Sequence, residues 1–69
     1  MTKTREELIG ERLRELRGER SQQEVADAVG TSKMAISMYE RGVRVPSDNV
    51  KIALAKYFDT TVEALFFTL

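Results

Sequence analysis

Apolar residues recur at helical intervals along the chain, and the gaps between them carry residues that start and stop helices. Thr4-Arg5-Glu6-Glu7 is a capping box, with a hydroxyl at the cap and a carboxylate three residues on. Ile9, Leu13 and Leu16 then follow on one face of a first helix that closes near Gly18. Its opposite face is rich in Glu and Arg, and the spacing predicts pairs such as Glu11–Arg14 and Arg12–Glu15. Ser21-Gln22-Gln23-Glu24 is a second capping box. Val25, Ala26 and Val29 share one side of the helix that follows, and Gly30 stands where that helix must turn left-handed to stop. Ser32 caps a third helix from Lys33, and Gly42 closes it in the same way. Val43-Arg44-Val45-Pro46 is a loop, because the residue before a proline avoids helical angles. Ser47 caps a fourth helix running to about Phe58, with Ile52, Leu54, Ala55 and Phe58 toward the core. Thr60 or Thr61 caps a last short helix from Val62 to about Phe67, with Thr60-Thr61-Val62-Glu63 as a further capping box. No alternation of Val, Ile and Thr marks a strand. The expectation is an all-α fold of five short helices, with residues 1–69 as one domain.

The third helix has two unlike sides. With Lys33 at the origin and one turn per 3.6 residues, Ala35, Tyr39 and Ile36 fall at about 200°, 240° and 300°. Lys33, Ser37, Arg41, Met34 and Met38 occupy the opposite sector, from about 0° to about 140°. Docking on the Ala-Ile-Tyr side leaves the Lys-Ser-Met-Arg side outward. Two short helices joined by a tight glycine turn form a helix-turn-helix, whose second helix can enter a DNA major groove. Lysine can reach guanine O6 and N7, serine pairs with several bases, and an apolar side chain can meet a thymine methyl. An outward polar sector is equally what an ordinary solvated helix face looks like.

Composition narrows the choices. A 69-residue chain buries only about 60% of the surface it exposes when unfolded, so it needs dense packing or a partner copy. Cysteine and histidine are both absent, which removes disulfides, most zinc sites, Cys–His nucleophiles and Ser-His-Asp triads. No Gly-rich phosphate loop or paired-acid arrangement appears, so an enzyme is not expected, and no cofactor or metal is called for. The longest apolar run is too short to cross a membrane, and the charged start Met1-Thr2-Lys3-Thr4-Arg5-Glu6-Glu7 lacks the apolar stretch of a signal peptide. A cytoplasmic location is expected. Eleven basic and eleven acidic residues cancel, so nucleic-acid binding must rest on where charges sit. Between Ala28 and Ser47 the cations Lys33, Arg41 and Arg44 face one anion, Glu40.

Ser21-Gln22-Gln23-Glu24-Val25-Ala26-Asp27-Ala28-Val29-Gly30-Thr31-Ser32 resembles the signature S/T-Q-x-x-L-A-x-x-x-G-V-S, and Ile36-Ser37-Met38-Tyr39-Glu40-Arg41-Gly42 resembles I-S-x-x-E-x-G. With Pro46-Ser47 and Ala55-Lys56-Tyr57-Phe58, the chain is similar, from about Ile9 to Phe66, to the Cro/λ-repressor-like helix-turn-helix family of bacterial and phage transcription regulators. The resemblance implies sequence-specific binding of double-stranded DNA by a regulator, expected to be a repressor, with the third helix in the major groove. Ser32, Lys33, Met34, Ser37 and Met38 match base-facing positions. Gln22 matches a phosphate contact at the start of the second helix, and Arg41 and Arg44 match the phosphate-gripping loop. Glu40 matches a glutamate that pairs with an arginine near the end of the first helix, here Arg17. The resemblance also implies a homodimer on a near-palindromic operator, with Tyr57, Phe66, Phe67 and Leu69 as its interface. A second reading is a protein-binding module on the same fold, an antitoxin or adaptor, because methionine surfaces adapt to apolar partners.

Overall fold

The computed structural model describes residues 2–68. Four α-helices follow in order: α1 (Arg5–Arg17), α2 (Gln22–Val29), α3 (Lys33–Arg41) and α4 (Asp48–Tyr57). The last element, Glu63–Phe67, is a π-helical turn rather than the α-helix the pattern predicts. Each α-helix begins on a hydroxyl cap. Thr4, Ser21, Ser32 and Ser47 accept hydrogen bonds from the backbone N–H groups of Glu7, Glu24, Ala35 and Val50. Thr61, not Thr60, caps the final turn, accepting from the Ala64 N–H at 3.0 Å. Gly30 and Gly42 adopt left-handed angles after α2 and α3. Asp59 takes that role after α4, at φ 56°, and lets the Thr60 N–H reach back to the Ala55 carbonyl at 2.8 Å.

The core draws on every helix. Ile9 and Leu13 of α1, Val25, Ala26 and Val29 of α2, Ala35, Ile36 and Tyr39 of α3, Leu54 of α4, and Leu65 and Phe66 form one buried cluster. Enclosing a leucine such as Leu54 or Leu65 fully contributes about 1.5–3 kcal/mol each. On α4 the expected facing is partly corrected. Leu54 and Ala55 are buried, but Ile52 is 47% exposed, and Val50 and Ala53 pack against the core in its place. Apolar residues surround much of α4's circumference, so periodicity alone could not fix its rotation.

Helix α1 crosses α3 at close range, and glycine permits it. A methyl group on Gly10 would meet the backbone carbonyl of Glu40 and stand 2.6 Å from that of Tyr39. One side of α1 also rests on the close of α3, since a methyl on Gly42 would lie 2.8 Å from the Glu7 Cα. The outward arginines of α1 are not spent on the predicted neighbours. Arg5 donates to the Phe66 carbonyl at 3.1 Å, and Arg12 donates to the carbonyls of Ala64 and Thr68. Glu11 pairs with Lys3. A π-turn leaves carbonyls without helical partners, and α1 satisfies them.

Two outcomes follow for stability. Gly10→Ala is expected to destabilise the protein by about 2–3 kcal/mol, because the obstruction is backbone that cannot rotate away. Gly30→Ala, with open space around it, is expected to cost only about 1 kcal/mol for its left-handed angles. Urea titration of both variants checks this, and equal losses would contradict the close crossing. At the start of α1, the Thr4 N–H donates to the Glu7 carboxylate at 2.9 Å and holds its pKa below the ordinary glutamate value; the Thr4 hydroxyl lowers it further. A depressed acid stabilises the fold above its ordinary pKa and loses that contribution as pH falls through the folded value. Acid-induced melting should therefore be less steep in Glu7→Gln, measured by thermal midpoints between neutral and acid pH.

Candidate nucleic-acid interface

Helices α2 and α3 pack on each other through Val25, Ala26, Val29, Ala35, Ile36 and Tyr39, all buried. That contact orients α3. With its Ala-Ile-Tyr side inward, Ser32, Lys33 and Met34 are exposed, Met34 at 68%. Ser37 and Met38 are half-buried at the margin of the outward sector. The Ser32 hydroxyl already accepts from the Ala35 N–H at 3.0 Å, so toward a ligand it is free to donate. Arg41 and Arg44 are exposed in and after the last turn of α3. Arg41 leans back toward the Ser37 carbonyl at 3.4 Å. Among the described residues the ion pairs are Lys3–Glu11 and Arg17–Glu40, and neither uses Lys33, Arg41 or Arg44.

The far end of α3 is anchored by charge. Arg17 forks onto Glu40, Nε to Oε2 at 2.7 Å and a terminal nitrogen to Oε1 at 3.1 Å. The remaining terminal nitrogen of Arg17 donates to the Arg20 carbonyl at 2.7 Å. The Gln22 carboxamide donates to Glu40 Oε1 at 3.1 Å. The Glu40 side chain is only 6% exposed and that of Arg17 17%. The hydrogen bond to Glu40 raises the Arg17 pKa above its ordinary value, so the guanidinium stays charged. The Glu40 carboxylate thus ties together the end of α1, the start of α2 and the end of α3, and Arg17 adds the α1–α2 loop. Gln22, assigned to a phosphate by resemblance, lies half-buried at the first turn of α2 and spends one amide hydrogen on this network. Its second amide hydrogen is available for an anion.

The four residues assigned to a partner interface separate. Phe66 is 1% exposed and belongs to the chain's own core, which corrects its assignment: it has no surface to offer. Phe67 is 55% exposed, with Arg5 and Lys51 each over its ring at 5.3 and 5.4 Å. Tyr57 is half-buried, edge-on to Phe58 at 5.1 Å, and Arg20 lies over it at 5.1 Å. Leu69 lies outside the described residues. Sequence reasoning passed over the roles of Gly10, Arg5 and Arg20, and it gave Arg12 to Glu15 where the structure gives it to the Ala64 and Thr68 carbonyls. Only Gly10 carried a signal, since a glycine inside a strongly helical stretch costs about 1 kcal/mol and calls for a packing reason.

Among the described residues no group of three or more acidic side chains is placed to hold a metal ion, and no helix is long and apolar enough to cross a membrane. The sequence model of the helix-turn-helix family matches residues 11–65. No curated protein matches the sequence. Among solved structures, the chain is similar to the P22 c2 repressor protein in complex with a synthetic operator, at 31% identity and a TM-score of 0.82, over 86% of this chain and 92% of that one. It is similar also to the restriction-modification controller protein C.AhdI of Aeromonas hydrophila, at 34% identity and a TM-score of 0.77, over 87% and 90% of the two chains. A third likeness is to the SOS-response transcriptional repressor LexA of Eubacterium rectale, at 26% identity and a TM-score of 0.81, over 96% of this chain and 73% of that one.

The Glu40 network sets a double-mutant test. Arg17→Ala or Glu40→Ala alone should cost about 3 kcal/mol, because each leaves a largely buried charge unpaired. Replacing both should cost less than the sum, with a coupling of about 1–3 kcal/mol by urea denaturation. A coupling near zero would mean the fork is surface decoration.

Proposed function

The chain belongs to the Cro/λ-repressor-like helix-turn-helix family, and from that premise we propose that it is a transcriptional repressor that binds double-stranded DNA sequence-specifically. The observation that carries this reading is the two-sidedness of α3. Its inner side is buried on α1 and α2, while Ser32, Lys33 and Met34 project from the surface with no role in the core. In the major groove, Ser32, Lys33, Met34, Ser37 and Met38 read base edges, with Lys33 the strongest single determinant. Half-buried Ser37 and Met38 contribute from the margin. Gln22, Arg41 and Arg44 hold phosphates on either side and fix the register. Arg17 and Glu40 touch no DNA and instead set the angle of α3.

The protein acts in the cytoplasm as a homodimer, which sets two copies of α3 one DNA turn apart, about 34 Å, on a near-palindromic operator. Tyr57 and Phe67 are the interface residues with surface to contribute. Pairing would also supplement the small core of a 69-residue chain.

Selection of bound duplexes from random DNA at two salt concentrations tests the proposal. Four arginines per dimer on phosphates give a slope of log affinity against log salt of about −4. Arg44→Ala should weaken every sequence alike and reduce that slope. Lys33→Ala should relax preference at particular base pairs and cost about 1–3 kcal/mol on the preferred duplex. Equal losses on preferred and random DNA for both variants would contradict the division of roles. A salt-insensitive protein complex with no selected duplex would instead favour the antitoxin or adaptor reading.

A further inference from the structure

The sequence contains no cysteine, so its sulfur is confined to three methionines, at positions 1, 34 and 38. Two of them lie four residues apart on α3 and therefore share one face. They differ in access. Met34 is 68% exposed, whereas Met38 is half-buried and sits in the turn whose carbonyl accepts the Val43 N–H at 3.1 Å. Met34 supports none of the buried cluster, so a change at its sulfur leaves the core intact. Its position in the outward sector means that the same change alters the surface offered to a base pair.

We propose that Met34 is an oxidation site at which a peroxide converts the thioether to a sulfoxide and thereby weakens sequence-selective DNA binding while leaving the fold and the phosphate grip in place. This rests on the DNA-reading assignment of α3. In the step, a sulfur lone pair attacks one oxygen of hydrogen peroxide. The S–O bond forms, the O–O bond breaks, and the departing hydroxide takes a proton and leaves as water. Sulfur is oxidised by two electrons and the peroxide is reduced by two. Return requires a dithiol, which methionine sulfoxide reductases use to release the oxygen as water and form a disulfide. The product is polar and chiral where the original side chain was apolar and flexible, so it loses favourable contact with a thymine methyl or any other apolar base edge. Arg41 and Arg44, which carry no sulfur, keep the sequence-independent part of the affinity. With no thiol in the chain to consume peroxide first, the exposed thioether is the open target among the described residues.

The experiment uses the whole chain, hydrogen peroxide, and the duplex selected by the reduced protein, with a random duplex of equal length beside it. Peptide mass mapping over time should show Met34 oxidised several-fold faster than Met38, and equal rates overturn the proposal. In a Met38→Leu protein, oxidised Met34 should weaken binding to the selected duplex about tenfold, the scale of one mismatched base pair. Binding to the random duplex should stay within about twofold, and circular dichroism should be unchanged. Reductases of both epimer specificities with dithiothreitol should restore the affinity. Met34→Leu, compared with its own untreated affinity, should have lost the peroxide response. Unchanged binding in the Met38→Leu protein after complete Met34 oxidation overturns the proposal and leaves the DNA-binding assignment standing. Equal loss on both duplexes overturns it as well. A reduced protein that selects no duplex overturns both.

Discussion

The fold hinges on how closely α1 can approach the end of α3. Gly10 removes the side chain that would strike the Tyr39 and Glu40 carbonyls, and the Arg17–Glu40 fork then closes the same crossing seven residues further along α1. The two devices act on opposite physics. The glycine is steric and admits only a narrow range of separations. The fork is electrostatic and directional, and its low exposure keeps water from screening it. Together they set where α3 ends, while the Ala35, Ile36 and Tyr39 contacts set which side turns inward. The outward sector of α3 is therefore a consequence of contacts made on its other side.

Charge is allocated rather than merely balanced. A chain with no net charge has no long-range pull on a polyanion, so the position of each cation matters. Arg17 is committed to Glu40, Arg5 and Arg12 to carbonyls of the C-terminal segment, and Arg20 to the faces of Tyr57 and Phe58. Lys33, Arg41 and Arg44 are left on or beside α3, and Glu40, the one anion between Ala28 and Ser47, is paired with Arg17. The segment between Ala28 and Ser47 is more basic than the overall composition. The outward arginines of α1 also do work that apolar packing cannot do, since they satisfy carbonyls that a π-turn leaves over.

The elements whose signals are local were legible. Hydroxyl caps and closing glycines act within one helical turn, so Thr4, Ser21, Ser32, Ser47, Gly30 and Gly42 mark boundaries that the structure keeps. The sector count on α3 was legible for the same reason: it depends only on residues 33 to 41 and one helical period. The C-terminal turn was not. Its hydrogen-bond register differs from an α-helix by one residue, and arginines more than fifty positions away hold its carbonyls. Ile52 and Phe66 exchanged expected places, one outward and one enclosed, because an apolar residue next to other apolar residues carries no label for the side it takes.

The amino-acid order by itself determined the helical class, the helix starts and stops, the absence of thiol and imidazole chemistry, and the two-sided character of α3. Those depend on neighbours within a few residues or on composition alone. The tertiary structure decided the rotation of α4, the π register of the last turn, the enclosure of Phe66, and the joining of Gln22 to the Glu40 carboxylate beside Arg17. Those depend on which of several equally apolar or equally charged groups come within a few ångströms once the chain closes on itself. Proximity of that kind is a property of the whole packed core, and no single stretch of the chain encodes it.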